Sequence, residues 1–146
     1  MKEKVAVIGG GPAGIIAAGF AAMGNKEVVL FEKNEKLGKK LFITGKGRCN
    51  ITNDGDIEDL IDNVVVNNTF LYSAFYSFTN KDIVSLLNDY GVDVKVERGR
   101  RVFPKSDKSS DVIKALEKFL KSNNVDIQLN TEIKNIKKSE DLFIIE

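Results

Sequence analysis

The stretch KVAVIGGGPAGIIAAGFAAMGNKEVVLFE, residues 4–32, constrains this chain more than any other. An apolar run ends in glycines. A segment of small and apolar residues without strand-like alternation follows, and a second apolar run begins after Gly24. Short continuous apolar runs read as buried parallel strands, and the segment between them reads as a helix that Gly24 closes. Parallel strands cannot be joined by a tight hairpin, so the three pieces predict a β-α-β unit. Gly9-x-Gly11-x-x-Gly14 lies at the strand-to-helix junction, where each glycine has its own task. Gly9 permits the tight turn, Gly11 lets backbone approach a pyrophosphate, and Gly14 lets the helix lie close to the strand, with Ala18 continuing the small face. Pro12 and Ala13 open the helix, where the missing proline N–H costs nothing and free N–H groups favour an anion. Glu32 stands eighteen residues after Gly14, placed to accept hydrogen bonds from an adenosine ribose and to repel a 2′-phosphate. The pattern predicts a dinucleotide. FAD and NAD present the same ADP half, so the glycines leave that choice open. A Walker A loop is excluded, because six residues separate Gly38 from Gly45 and Lys46 is followed by glycine.

A chain of 146 residues with a formal net charge of +1 carries no electrostatic footprint for nucleic acid and no polybasic membrane patch. No apolar run approaches the roughly eighteen residues of a membrane span. A cytoplasmic protein with neither nucleic acid nor membrane as partner is expected. There is no histidine and one cysteine. A Ser-His-Asp triad, a histidine zinc site, an internal disulfide and a C-x-x-C pair are therefore excluded within the chain, and no metal is expected. Chemistry has to come from a cofactor, carboxylates, lysines or groups supplied from elsewhere. No residue stands out as a general base, so the catalytic residues and the small-molecule substrate are left open.

After the β-α-β unit (4–32), residues 33–55 form a long, polar, glycine-punctuated loop, of the kind that is functional or disordered. Residues 56–91 read as helical. Within them TNKDIVSLLNDYG carries a capping box, Thr79 with Asp82, and a closing Gly91. Residues 92–146 read as strand, helix and strand: two short strands turning at Gly99, an amphipathic helix with Ser110 as N-cap and Phe103 in the core, then strands in VDIQL, EIKNIKK and DLFIIE.

Three stretches, GGGPAGIIAA, FEKNEKLGKKLFITGKGRCNITN and GRRVFPKSDKSSDVIKAL, resemble one bacterial family, the FAD-dependent oxidoreductases that include the aminoacetone-oxidase-like and BaiN-like flavoproteins. The resemblance covers essentially the whole chain, and the GKGRCN run is more specific than the first glycine fingerprint. It implies an α/β, Rossmann-like FAD-binding domain of the two-dinucleotide-binding-domain flavoprotein type. It also implies a flavin-dependent oxidoreductase with NAD(P)H or oxygen as redox partner. By resemblance, Lys33, Gly38, Lys39 and Lys40 lie near the ribose and pyrophosphate. Thr44, Gly45, Gly47, Arg48, Cys49 and Asn50 pass the ribityl chain, with Arg48 and Asn50 as donors to flavin oxygens. Cys49 has no partner for a flavin-disulfide mechanism and reads as a small packing residue rather than a redox group. The strand around Thr131, Glu132 and Ile133 resembles the position that holds adenine through backbone hydrogen bonds, with an ordinary strand as the alternative. Members of the family are much longer. The resemblance therefore implies an N-terminal part lacking an inserted substrate domain and a C-terminal return, prone to self-association and weakly active alone. A non-catalytic module binding FAD or NAD is the alternative.

Overall fold

The computed structural model describes residues 3–146. In chain order its elements are β1 (Lys4–Ile8), α1 (Pro12–Met23), β2 (Glu27–Phe31), β3 (Thr52–Asn53), α2 (Ile57–Asp62), α3 (Tyr72–Ser77), α4 (Asn80–Asp89), β4 (Val94–Glu97), β5 (Arg101–Pro104), α5 (Ser109–Ser122), β6 (Asp126–Gln128), β7 (Ile136–Ser139) and β8 (Leu142–Ile145), with 3-10 segments at Leu41–Gly47 and Asn68–Leu71. They form two compact units. One joins Met1–Leu41 to Leu116–Glu146, and the other is Phe42–Ala115.

The first unit holds a parallel sheet in the order β1-β2-β6. Lys4 is in register with Glu27 and Ile8 with Phe31, and Val29 pairs with Asp126 on the other side. The β-α-β prediction stands, with one correction. β1 was expected to be buried, yet Lys4, Ala6 and Ile8 are exposed and Val5 and Val7 half-buried. The reason is its place in the sheet. β1 has one neighbouring strand, whereas β2 lies between two and buries Val28 and Leu30.

Helix α1 approaches its surroundings through glycine. A β-carbon at Gly14 would stand 1.9 Å from the Gly9 carbonyl oxygen, and one at Gly19 would stand 2.1 Å from the Phe119 ring. Phe119, Leu116 and Leu120 are buried on the C-terminal half of α5, and the Phe20 and Phe119 rings meet with centroids 5.7 Å apart. Gly24 ends α1 by donating its N–H to the Phe20 carbonyl, but the left-handed residue of the turn is Asn25 (φ 62°). β7 and β8 form an antiparallel hairpin pairing Ile136 with Ile145. The strand expected around Ile133 is absent. The N–H groups of Asn130 and Thr131 go to the carbonyls of Asn34 and Glu32, and those of Lys134 and Asn135 to Glu146, so Ile133 sits in irregular backbone until β7 begins.

The second unit is built on an antiparallel sheet in the order β3-β5-β4, with the hairpin turn at Gly99 (φ 77°) and Arg100 (φ 56°). Its core gathers Ile61, Leu87, Val92, Val102, Phe103 and Val112. The capping box of α4 forms as the sequence predicts. The Thr79 N–H donates to Asp82 Oδ2 at 2.7 Å and the Asp82 N–H to Thr79 Oγ1 at 3.2 Å. Gly91 follows with φ 88°. Ser110 is not the cap of α5. The helix starts at Ser109, because a turn in which Asp111 N–H reaches the Lys108 carbonyl begins it one residue earlier, so Ser110 falls within the first turn.

Candidate functional site

In the first unit the chain leaves β1 through Gly9, whose φ of 103° suits glycine and whose N–H donates to the Phe31 carbonyl at 2.8 Å. Gly11 is the N-cap of α1, with φ −77°, and no side chain caps the helix. Pro12 takes the first helical position and no acidic residue occupies the first turn. A β-carbon added at Gly9 or Gly11 meets nothing within 4 Å. Together these features make an open cradle: an uncapped helix of twelve residues preceded by glycines with open space at their β-carbon positions, with no carboxylate in the first turn to repel an anion. The pyrophosphate of a dinucleotide fits that chemistry.

The middle glycine, Gly10, escaped the sequence reading. Its N–H donates to Glu32 Oε2 at 2.7 Å and its carbonyl accepts from the Gly38 N–H at 2.8 Å. A β-carbon there would lie 2.3 Å from Leu37 Cδ2. Gly10 thus lets the segment after β2 close against the phosphate loop. The signal was the uninterrupted triplet of glycines, one more than the fingerprint needs.

Glu32 is buried and was expected to face a ribose. Its carboxylate also braces the loop. Oε2 takes the Gly10 N–H, and Oε1 takes both the backbone N–H of Asn34 at 2.8 Å and its side-chain Nδ2 at 2.6 Å. Oε2 keeps a lone pair for a ribose hydroxyl. Burial alone pushes the Glu32 pKa up, but the hydrogen bonds from Asn34 and Gly10 outweigh it and hold the carboxyl below the usual range. Because the folded value lies below the unfolded one, this brace is fully present above the unfolded value of about 4.3 and is lost as pH falls through the folded value. Urea unfolding of Glu32→Gln is expected to show a lower midpoint than wild type at pH 7 and a difference that shrinks as pH drops through the acid range. A constant difference across that range would contradict the brace.

Lys39 is exposed, and its Nζ donates to Asn34 Oδ1 at 3.2 Å and Glu35 Oε2 at 3.3 Å. Lys33 and Lys40 are exposed. Ile133 is half-buried in irregular backbone, as described above, and Thr131 is tied to the Glu32 carbonyl.

The second unit holds Thr44, Gly45, Gly47, Arg48, Cys49 and Asn50. The loop turns through left-handed backbone at Gly45 (φ 57°), Lys46 (φ 59°), Gly47 (φ 85°) and Cys49 (φ 63°). The N–H of Cys49 closes it on the Thr44 carbonyl at 3.0 Å. Cys49 is 1% exposed and forms no disulfide. Burial pushes its thiol up, with the Thr44 hydrogen bond opposing, so it is not poised as a nucleophile. Asn50 and Thr44 are exposed. Arg48 makes contacts inside its own unit that the sequence did not announce. One of its guanidinium nitrogens binds Glu97 Oε1 at 2.9 Å and Asp107 Oδ1 at 3.3 Å, and the group stacks 4.1 Å from the Phe103 centroid. Arg48's hydrogen bond holds Glu97 below the usual carboxylate range, and Lys95 does the same for Asp107 with Arg48 assisting. Asn80, also unforeseen, is buried and donates to the carbonyls of Asn53 and Gly55 at 2.7 and 2.8 Å, fixing the chain that leaves the loop.

The fold and the glycine cradle define a Rossmann-type dinucleotide-binding domain. Residues 3–146 match the family described as HI0933-like protein Rossmann domain, and the chain belongs to that family. Over 145 residues it is 31% identical to the 3-dehydro-bile acid delta(4,6)-reductase of Clostridium scindens, covering 98% of this chain and 35% of that protein. It is 27% identical to the ribosomal RNA dihydrouridine synthase of Escherichia coli, over 96% of this chain and 34% of that one. The chain thus spans about a third of the length of these curated relatives. Among solved structures, a flavocytochrome c3 fumarate reductase aligns with a TM-score of 0.63 at 23% identity, covering 95% of this chain and 29% of that one, which establishes the fold. Among the described residues no helix is long and apolar enough to cross a membrane.

Proposed function

We propose that this chain is the FAD-binding part of a flavin-dependent oxidoreductase that uses NAD(P)H or oxygen as redox partner. The observation that carries this reading is the open cradle at Gly11 before an uncapped α1, with Glu32 holding Gly10 in place beside it. FAD, when bound, supplies the electron-transfer chemistry. The chain's own residues bind and orient it. Gly9, Gly11, Ala13 and Gly14 present backbone to the pyrophosphate, and Glu32 Oε2 accepts from the ribose. Ile133 offers backbone to the adenine, and the exposed Thr44 and Asn50 contact the flavin half. Lys33 and Lys40, both exposed, are available to the phosphates. A relative named as a reductase supports the reaction class. A net charge of +1 supports a small-molecule substrate over nucleic acid.

The test separates the two halves of the cofactor. Losing a side-chain hydrogen bond to the flavin should weaken FAD about tenfold in Asn50→Ala while ADP affinity stays within about twofold. Titration calorimetry with each ligand reads both values. Equal losses for FAD and ADP would remove Thr44–Asn50 from the flavin.

A further inference from the structure

Two stretches of sequence are left without a role by cofactor binding as described: GRRVFP, residues 99–104, and SDKSS, residues 106–110. Within the second unit both grip the loop 44–50. Phe103 lies beneath it, since a β-carbon at Gly45 would be 3.1 Å from Phe103 Cε1 and Arg48 stacks on the same ring. Ser109 donates to the Phe42 carbonyl at 2.8 Å just before the loop, and the Ile51 N–H reaches the Val102 carbonyl at 2.8 Å just after it. In the middle, Arg48 is held by Glu97 and Asp107, and Lys95 bridges the same two carboxylates at 3.5 and 2.6 Å.

The loop needs such external ties. Lys46 and Cys49 both adopt left-handed backbone, a conformation unfavourable for a residue with a β-carbon. The bonds the loop makes within itself include Cys49 N–H to the Thr44 carbonyl, Arg48 N–H to the Gly45 carbonyl (3.3 Å) and a side-chain hydrogen bond between Cys49 and Thr44. The contacts from outside the loop add to these internal bonds in holding the strained backbone.

We propose that Glu97 and Asp107 are positioning residues that act through Arg48, with Phe103 as the floor, to hold the loop 44–50 in the form that receives the flavin. The proposal rests on the reading of that loop as the flavin-facing one. It also gives Arg48 a different task from donation to the flavin: the side chain turns away to anchor the loop, leaving Asn50 exposed for the ligand.

Cys49 supplies a direct reporter, as the only thiol of the chain and a buried one within the loop. Its rate of labelling by a thiol reagent reads loop opening whether or not FAD is present. Asp107→Asn suits the test because Asn tolerates the left-handed backbone at this position (φ 55°), while the charge and one of the two oxygens that accept from Arg48 and Lys95 are lost. Glu97→Gln is the second variant. Each is expected to speed Cys49 labelling about tenfold and to lower FAD affinity by a similar factor, with ADP affinity held within about twofold. Leu87→Ala, in the core of the same unit, serves as a control. It should lower the melting temperature without changing the ratio of FAD to ADP affinity. Unchanged labelling in both acidic-residue variants would overturn the positioning role. Faster labelling with an unchanged FAD-to-ADP ratio would show that the carboxylates clamp the loop but that the loop does not serve the flavin. That result would overturn the proposal through the reading on which it rests. A changed ratio in Leu87→Ala equal to that of the two variants would reduce their effect to general destabilisation and overturn the proposal as well.

Discussion

Gly11→Val is expected to weaken FAD and ADP binding by roughly a hundredfold or more while the protein stays folded. Gly11 has an ordinary backbone conformation, φ −77° and ψ 175°, and a β-carbon there touches no protein atom within 4 Å. The cost to the fold is limited to replacing glycine by valine at an N-cap, about 1 kcal/mol. The branched side chain would instead fill the space in front of the first N–H groups of α1, where the pyrophosphate is proposed to sit. Thermal melting with ligand titration checks both halves. A variant that melts as predicted but binds FAD with wild-type affinity would remove this loop from the site.

The same substitution three residues later should do the opposite. At Gly14 the first added carbon would stand 1.9 Å from the Gly9 carbonyl oxygen, and Val7 Cγ1 lies 3.6 Å away. Backbone oxygen cannot rotate aside as a side chain can, so β1, the loop or α1 has to shift. Gly14 lies in the first turn of α1, where replacing glycine gains at most about 1 kcal/mol through helix propensity. Overpacking of this kind costs about 1–3 kcal/mol, and the steric term wins. Gly14→Val should therefore lower the melting temperature by several degrees and distort the turn at Gly9. A variant as stable as wild type would mean that α1 does not depend on a glycine at this crossing.

This contrast was legible in the sequence because turn chemistry is local. Three glycines at fixed spacing between an apolar run and a small-residue segment announce the β-α-β unit, and the Thr79–Asp82 box announces the start of α4 by the same kind of short-range rule. What the sequence hid depends on partners far along the chain. β1 looks like a buried strand, but its burial is set by how many strands flank it, and only β2 does. Ile133 lies in a stretch that reads as a strand, yet the N–H groups of Asn130 and Thr131 go to Asn34 and Glu32, about a hundred residues earlier in the sequence. Arg48 reads as a cofactor ligand because its motif is compact, while Glu97 and Asp107, which hold it, lie 49 and 59 residues away. The spacing singled out Glu32 for a ribose, but its use as a brace required knowing that Gly10 and Asn34 converge on it.

The central claim is that the first unit binds FAD through its ADP half at the Gly9–Gly14 loop. Titration of the purified chain with FAD, followed by the change in flavin absorbance and repeated in the presence of ADP, tests this most directly. The expected result is saturable binding of one FAD per chain, displaced competitively by ADP and lost in Gly11→Val. Failure to bind FAD, or FAD binding that ADP cannot displace, would contradict it.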